Sequence, residues 1–156
     1  RSRYYVGELN GKSSKQAYMD ALHISESNII NQTFHNPLGK MNGQDICIIS
    51  LKEVSGNGLC CYRQVNDSDV LVLLEEQDYN EILDETLQRI RRDFNHISGV
   101  FSINCVFRYL LFSQEHHMED YLKTMSTLGE HAGLIGFGEH YNQQFVNQTM
   151  TCVVFE

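Results

Sequence analysis

Between Asp78 and Phe94 the apolar residues Tyr79, Ile82, Leu83, Leu87, Ile90 and Phe94 recur at steps of three and four. That spacing lines one face of an α-helix and predicts an amphipathic helix over the whole segment. Glu75, Glu76 and Asp78 precede or open it, and Arg89, Arg91 and Arg92 close it, so the charges match the helix dipole at both ends. The arginine cluster therefore reads first as a solvated helix face, since a phosphate site would need a wider basic surface.

The same reasoning places the other elements. Ser13 can cap a helix from Ser13 to Leu22, with Gln16 three residues later and Ala17, Tyr18, Ala21 and Leu22 as its stripe. A short strand, Tyr4 to Leu9, precedes it. Ser25 to Gly43, which holds the single proline at Pro37, reads as irregular loop. Asp45 to Leu51, Gly58 to Tyr62 and Val70 to Leu74 follow as apolar segments between turn residues, a strand rhythm. Ser98 to Ile103 reads as a strand entering Asn104 to Arg108, and Tyr109 to Phe112 is ambiguous. A second amphipathic helix is expected from about Gln114 to Leu128, capped by Ser113 and stopped by Gly129. An apolar stretch from Ala132 to Phe137 and a strand from about Gln148 to Phe155 close the chain. The expected class is α+β: a single domain, 1–156, with a mixed or mainly antiparallel sheet and two long amphipathic helices packed on it.

Composition narrows the function classes. With 156 residues, 42% hydrophobic, the chain can build one core. Twelve Lys and Arg stand against 20 Asp and Glu, a net charge of −8, the wrong sign for gripping a phosphate backbone, so no nucleic-acid partner is expected. The longest apolar runs resemble Val70 to Leu74, far short of the roughly 20 residues of a membrane-spanning helix. Five cysteines, an odd count, fit a reducing cytoplasm better than secretion. Opening at Arg1, the chain reads as a fragment of a longer polypeptide. It has no dinucleotide or phosphate-loop fingerprint and no Gly-x-Ser-x-Gly elbow, and no enzyme activity is expected.

A few residues could still carry chemistry. Arg108 follows a strand expected to be buried, so its planar fork needs a carboxylate, either internal or on a ligand. Glu139, in Gly136 Phe137 Gly138 Glu139, has no neighbouring charge. It could pair with Arg108, or the two could hold opposite ends of a zwitterion such as an amino acid. Cys105 reads first as a buried small hydrophobe and second as a thiolate beside Arg108. Asn147 and Thr149 suit a turn or a pocket edge. The histidines, including His116 and His117, which read as solvent-exposed on the second helix, show no metal-ligand spacing, so no metal site is expected. A single histidine on a haem iron obeys no spacing rule, which leaves haem open.

The order of several short motifs adds a resemblance. Gly7 Glu8 and Asn10 Gly11 within Tyr5 to Gly11, then Pro37 Leu38 Gly39, Cys105 to Arg108, Gly138 Glu139, and Phe145 Val146 Asn147 Gln148 Thr149 together resemble the FIST C-terminal domain over nearly the whole chain. One departure is Val146, where the family pattern is expected to have a histidine. The resemblance implies an intracellular sensory domain of a signal-transduction protein. Such a domain is normally preceded by an N-terminal FIST domain and joined to an output module such as a chemotaxis, cyclic-dinucleotide or kinase domain. It implies a small-molecule ligand, amino acids in particular, and for some relatives a haem-based nitric oxide sensor. Carried over residue by residue, the ligand-binding set is Arg108, Glu139, Cys105, Asn147 and Thr149. The rival expectation is a protein-interaction domain with no small-molecule site.

Overall fold

The computed structural model describes residues 3–142 and 144–156. They divide into two compact units, one running to Glu76 and the other starting at Gln77. The α+β class is the one expected, mainly antiparallel, with its strands distributed over small sheets of two or three strands.

The first unit contains β1 (Tyr5–Val6), β2 (Glu8–Leu9), β3 (Lys12–Ser13), α1 (Ser14–Leu22), a 3-10 turn (Glu26–Asn28), α2 (Ile29–Gln32), β4 (Leu38–Asn42), β5 (Asp45–Ile49), β6 (Leu51–Ser55), β7 (Gly58–Cys61) and β8 (Leu71–Leu73). Its sheets run β1-β7-β6, β5-β4-β8 and β2-β3, all antiparallel. The Ser13 cap is as the sequence predicts, its hydroxyl accepting from the Gln16 N–H at 3.2 Å. The loop expected over Ser25 to Gly43 is corrected: it holds α2 and strand β4. Pro37 ends a turn rather than blocking a strand, since a proline just before a strand removes only a donor the ladder does not need. Its carbonyl accepts from the Leu74 N–H at 2.9 Å, and Leu38 joins the core of Val6, Tyr18, Ile29, Ile49, Leu51 and Leu59. The hydroxyl of Ser14, fully buried, donates to the Val6 carbonyl and accepts from the Leu59 N–H at 3.1 Å. One side chain thus ties the start of α1 to two neighbouring strands.

The second unit contains α3 (Tyr79–Asp93), β9 (Gly99–Cys105), α4 (Val106–Gln114), α5 (Met118–Met125), β10 (Glu130–Gly136), β11 (Glu139–Tyr141), β12 (Gln144–Val146) and β13 (Met150–Phe155). Asp78 caps α3 by accepting from the N–H groups of Asn80 and Glu81, and Arg91 and Arg92 close it exposed. The sheet order is β10-β9-β13, with β9 parallel to β10 and antiparallel to β13. Helices α4 and α5 form the crossover that parallel pairing requires. The second long helix is corrected to Met118–Met125. Ser113 belongs to α4, its hydroxyl donating to the Tyr109 carbonyl at 2.8 Å. The chain breaks at His116, which adopts a left-handed φ of 56°. Among the described residues no helix is long and apolar enough to cross a membrane.

Replacing Ser14 by Ala leaves the Leu59 N–H buried without its acceptor. Urea denaturation of the Ser14→Ala chain is expected to show a loss of about 1–3 kcal/mol. A loss below about 0.5 kcal/mol would show that the hydroxyl does not tie helix to strands.

Candidate functional site

The second unit brings four of the five expected residues to one end of β9. The strand runs directly into α4: Cys105 is the extended N-cap residue and Val106 the first helical one. Arg108 therefore sits in the first turn of α4, not at the end of a strand as the sequence suggests. A cation there opposes the helix dipole, and it is compensated by aromatic faces and a carboxylate. The guanidinium carbon lies 4.5 Å from the ring centroid of Phe112, one turn on, and 5.6 Å from that of Tyr121, within cation–π range.

The carboxylate is Glu139. It opens β11, paired in register with Val146 of β12, and is only 3% exposed. The preceding Gly138 has φ +127°, and a Cβ there would meet the Phe145 ring at 2.2 Å, so this corner requires glycine. Oε2 of Glu139 accepts from the Thr149 hydroxyl at 2.6 Å, whereas Oε1, also buried, has no hydrogen-bond partner among the described residues. Burial pushes the carboxyl above its ordinary value; the Thr149 hydrogen bond and the Arg108 charge pull it part of the way back. Thr149 is itself fixed by its carbonyl, which accepts from the Cys105 N–H at 3.0 Å. Cys105 is buried, as its reading as a small hydrophobe expects. Asn147 follows the residue paired with Glu139, and its buried Oδ1 likewise has no partner among the described residues.

His117 departs from expectation. It is half-buried at the N-cap of α5, its ring 4.7 Å from that of Tyr79 and 4.9 Å from that of Phe112. The left-handed turn at His116 swings it off the exposed face that a continuous helix would give it.

A second polar group escapes sequence reading. Along β9 the residues Val100, Ser102 and Asn104 turn inward, and the last two meet Tyr121 of α5 and His131 of β10. Nδ2 of Asn104 donates to the Tyr121 hydroxyl at 2.8 Å, which in turn lies 3.4 Å from Oγ of Ser102. Ser102 Oγ is 2.8 Å from Nε2 of His131. Burial lowers the His131 pKa and favours the neutral ring. A Cβ on Gly133, opposite Ser102 in the parallel register, would come within 2.6 Å of the Ser102 carbonyl and hydroxyl oxygens. These groups floor a cavity of about 470 Å³. The signal available in the sequence is the alternation itself, which puts Ser102 and Asn104 on the buried face of a strand where apolar residues are expected.

Ionisation of Glu139 is costlier in the folded chain than in the unfolded one. Folded protein therefore keeps a proton that unfolded protein has lost, and stability falls as pH climbs from the ordinary carboxylate value near 4.5 through the raised one. Glu139→Gln retains the Thr149 hydrogen bond and removes this slope. Denaturation midpoints measured from pH 4 to 7 are expected to fall more steeply in the parent chain than in Glu139→Gln, and parallel curves would show that Glu139 ionises as if exposed.

Residues 15–142 match the family described as the FIST C domain. The matched stretch contains Cys105, Arg108 and Glu139 and ends before Asn147 and Thr149. No curated protein and no solved structure matches the chain.

Proposed function

The chain belongs to the FIST C domain family, a family of signal-transduction sensory domains, and from that premise we propose that it binds a small zwitterion, an amino acid, at Arg108 and Glu139. The observation that carries this reading is Oε1 of Glu139, a buried carboxylate oxygen without a hydrogen-bond partner among the described residues, close enough to Arg108 to feel its charge. Leaving such an oxygen unpaired is costly, and a ligand ammonium would satisfy it. The guanidinium stacks by its face and bonds by its edge, so Arg108 is suited to take the ligand carboxylate, with Thr149 holding Glu139 in place and Asn147 at the rim. Binding one conformation more tightly would shift the equilibrium read by an N-terminal FIST domain and an attached output module. The reading involves no chemical turnover and no cofactor. The free thiols of all five cysteines support a cytoplasmic setting.

A second reading, an interaction domain that docks a protein partner, is favoured by one observation: Phe137, just beyond β10, is 90% exposed, and Leu134 and Ile135 of that strand are also open to solvent.

Calorimetry against the twenty amino acids separates the two. If an ammonium pairs with Glu139, the ligand lowers the raised carboxyl pKa, so binding near pH 5 releases protons and the apparent enthalpy changes with the ionisation enthalpy of the buffer. Glu139→Gln is expected to abolish the proton release and weaken binding at least tenfold, and Arg108→Lys to weaken it by removing the bidentate fork. No binding by any amino acid, or unchanged binding to Glu139→Gln, overturns the assignment and leaves the docking reading. A Soret band after incubation with haemin would instead support a haem sensor.

A further inference from the structure

The cavity floored by Ser102, Asn104, Tyr121 and His131 carries an inference that does not rest on Arg108 or Glu139. Its lining has no formally charged side chain, and it is largely apolar, with Met118 and Leu122 from α5 and, from β10, Ile135, which the register places on the face of Ser102 and Asn104. At about 470 Å³ it falls in the range of small-molecule sites, which pair apolar walls with a few convergent polar groups. The floor has a direction. The Asn104 amide N–H donates to Tyr121, the Tyr121 hydroxyl faces Ser102, and the Ser102 hydroxyl faces Nε2 of His131. With a neutral ring accepting at Nε2, the hydroxyl protons of Tyr121 and Ser102 are both used, and Nδ2 of Asn104 also donates to Ser102 Oγ at 3.5 Å. On Asn104 an acceptor remains: Oδ1, in a side chain that lines the cavity, is buried and has no hydrogen-bond partner among the described residues. Asn104 is only 8% exposed.

We propose that this cavity is a second small-molecule site, taking a neutral, mostly apolar molecule with one terminal hydroxyl, in the simplest case a phenol, whose O–H donates to Oδ1 of Asn104. A carboxylate is disfavoured, because it would bring a second acceptor to an acceptor and bury a charge without a counter-ion. A molecule without a donor leaves Oδ1 as it is.

The test uses p-cresol, toluene and 4-methylanisole, which share a ring and a methyl group and differ in offering a donor, no polar group, or an acceptor alone. Titration of the 156-residue chain followed by methyl NMR is expected to show p-cresol binding at about millimolar affinity. Shifts should fall at Met118, Leu122 and Ile135, and toluene and 4-methylanisole should bind roughly tenfold more weakly. Asn104→Leu is expected to erase the preference for p-cresol. Leu122→Trp, a change on a half-exposed helix position that fills the mouth, should abolish binding with the floor intact, which keeps the test decisive if the Asn104 variant does not fold. Equal binding of the three probes, shifts elsewhere, or no binding by 10-millimolar-scale concentrations of p-cresol overturns the proposal. Glu139→Gln should leave p-cresol binding unchanged, so this site and the amino-acid site stand or fall separately.

Discussion

Strand β9 is hydrogen-bonded along both flanks, to β10 on one side and β13 on the other, and that double pairing sets the position of nearly everything else in the second unit. A strand held on both sides cannot slip by one residue without turning Val100, Ser102 and Asn104 away from the interior. Because no loop intervenes between β9 and α4, the register of the strand also fixes the first turn of the helix, and with it Arg108. The backbone bond from Cys105 to Thr149 then aligns the entry to β13, which sets where the Thr149 hydroxyl meets Glu139. A charged pair at one end of the strand and a neutral relay along its length are thus two products of a single register.

The elements readable from the sequence were those whose signals are local. Ser13 with Gln16, and Asp78 with Asn80 and Glu81, are contacts within one helical turn, and the α3 stripe repeats over about four turns. What the sequence obscures depends on distant partners. Leu38 to Asn42 forms a strand because Ile49 and Leu73 pair with Leu38 from either side, and neither is visible from the Pro37 neighbourhood. The division between α4 and α5 turns on the left-handed backbone at His116, a conformation that histidine adopts infrequently and that no periodicity announces.

The candidate site was legible as a set of residue types and illegible as an arrangement. Arg108 and Glu139 stand out as a cation and an anion in apolar surroundings, and the structure puts the carboxyl under the arginine's electrostatic influence. Their neighbours are another matter. Of the rings that face the guanidinium, Phe112 falls in sequence in an ambiguous apolar run and Tyr121 on the apolar face of the expected second helix, and Tyr121 serves both purposes: its ring faces the cation while its hydroxyl joins the neutral relay. Ser102 and His131 are 29 residues apart, and only the parallel crossover brings their strands side by side.

That crossover leaves β10 at the rim of its sheet, with β9 on one side and, among the described residues, no strand on the other. From Ala132 to Phe137 the strand and its exit contain no charged residue, and none of the lysines or prolines that usually blunt such a rim. The net charge of −8 holds copies of the chain apart at long range, but that repulsion reaches only about 10 Å at 0.1 M salt and about 3 Å at 1 M. At high ionic strength any remaining barrier to pairing along this edge has to be local, and no charge within Ala132 to Phe137 supplies one.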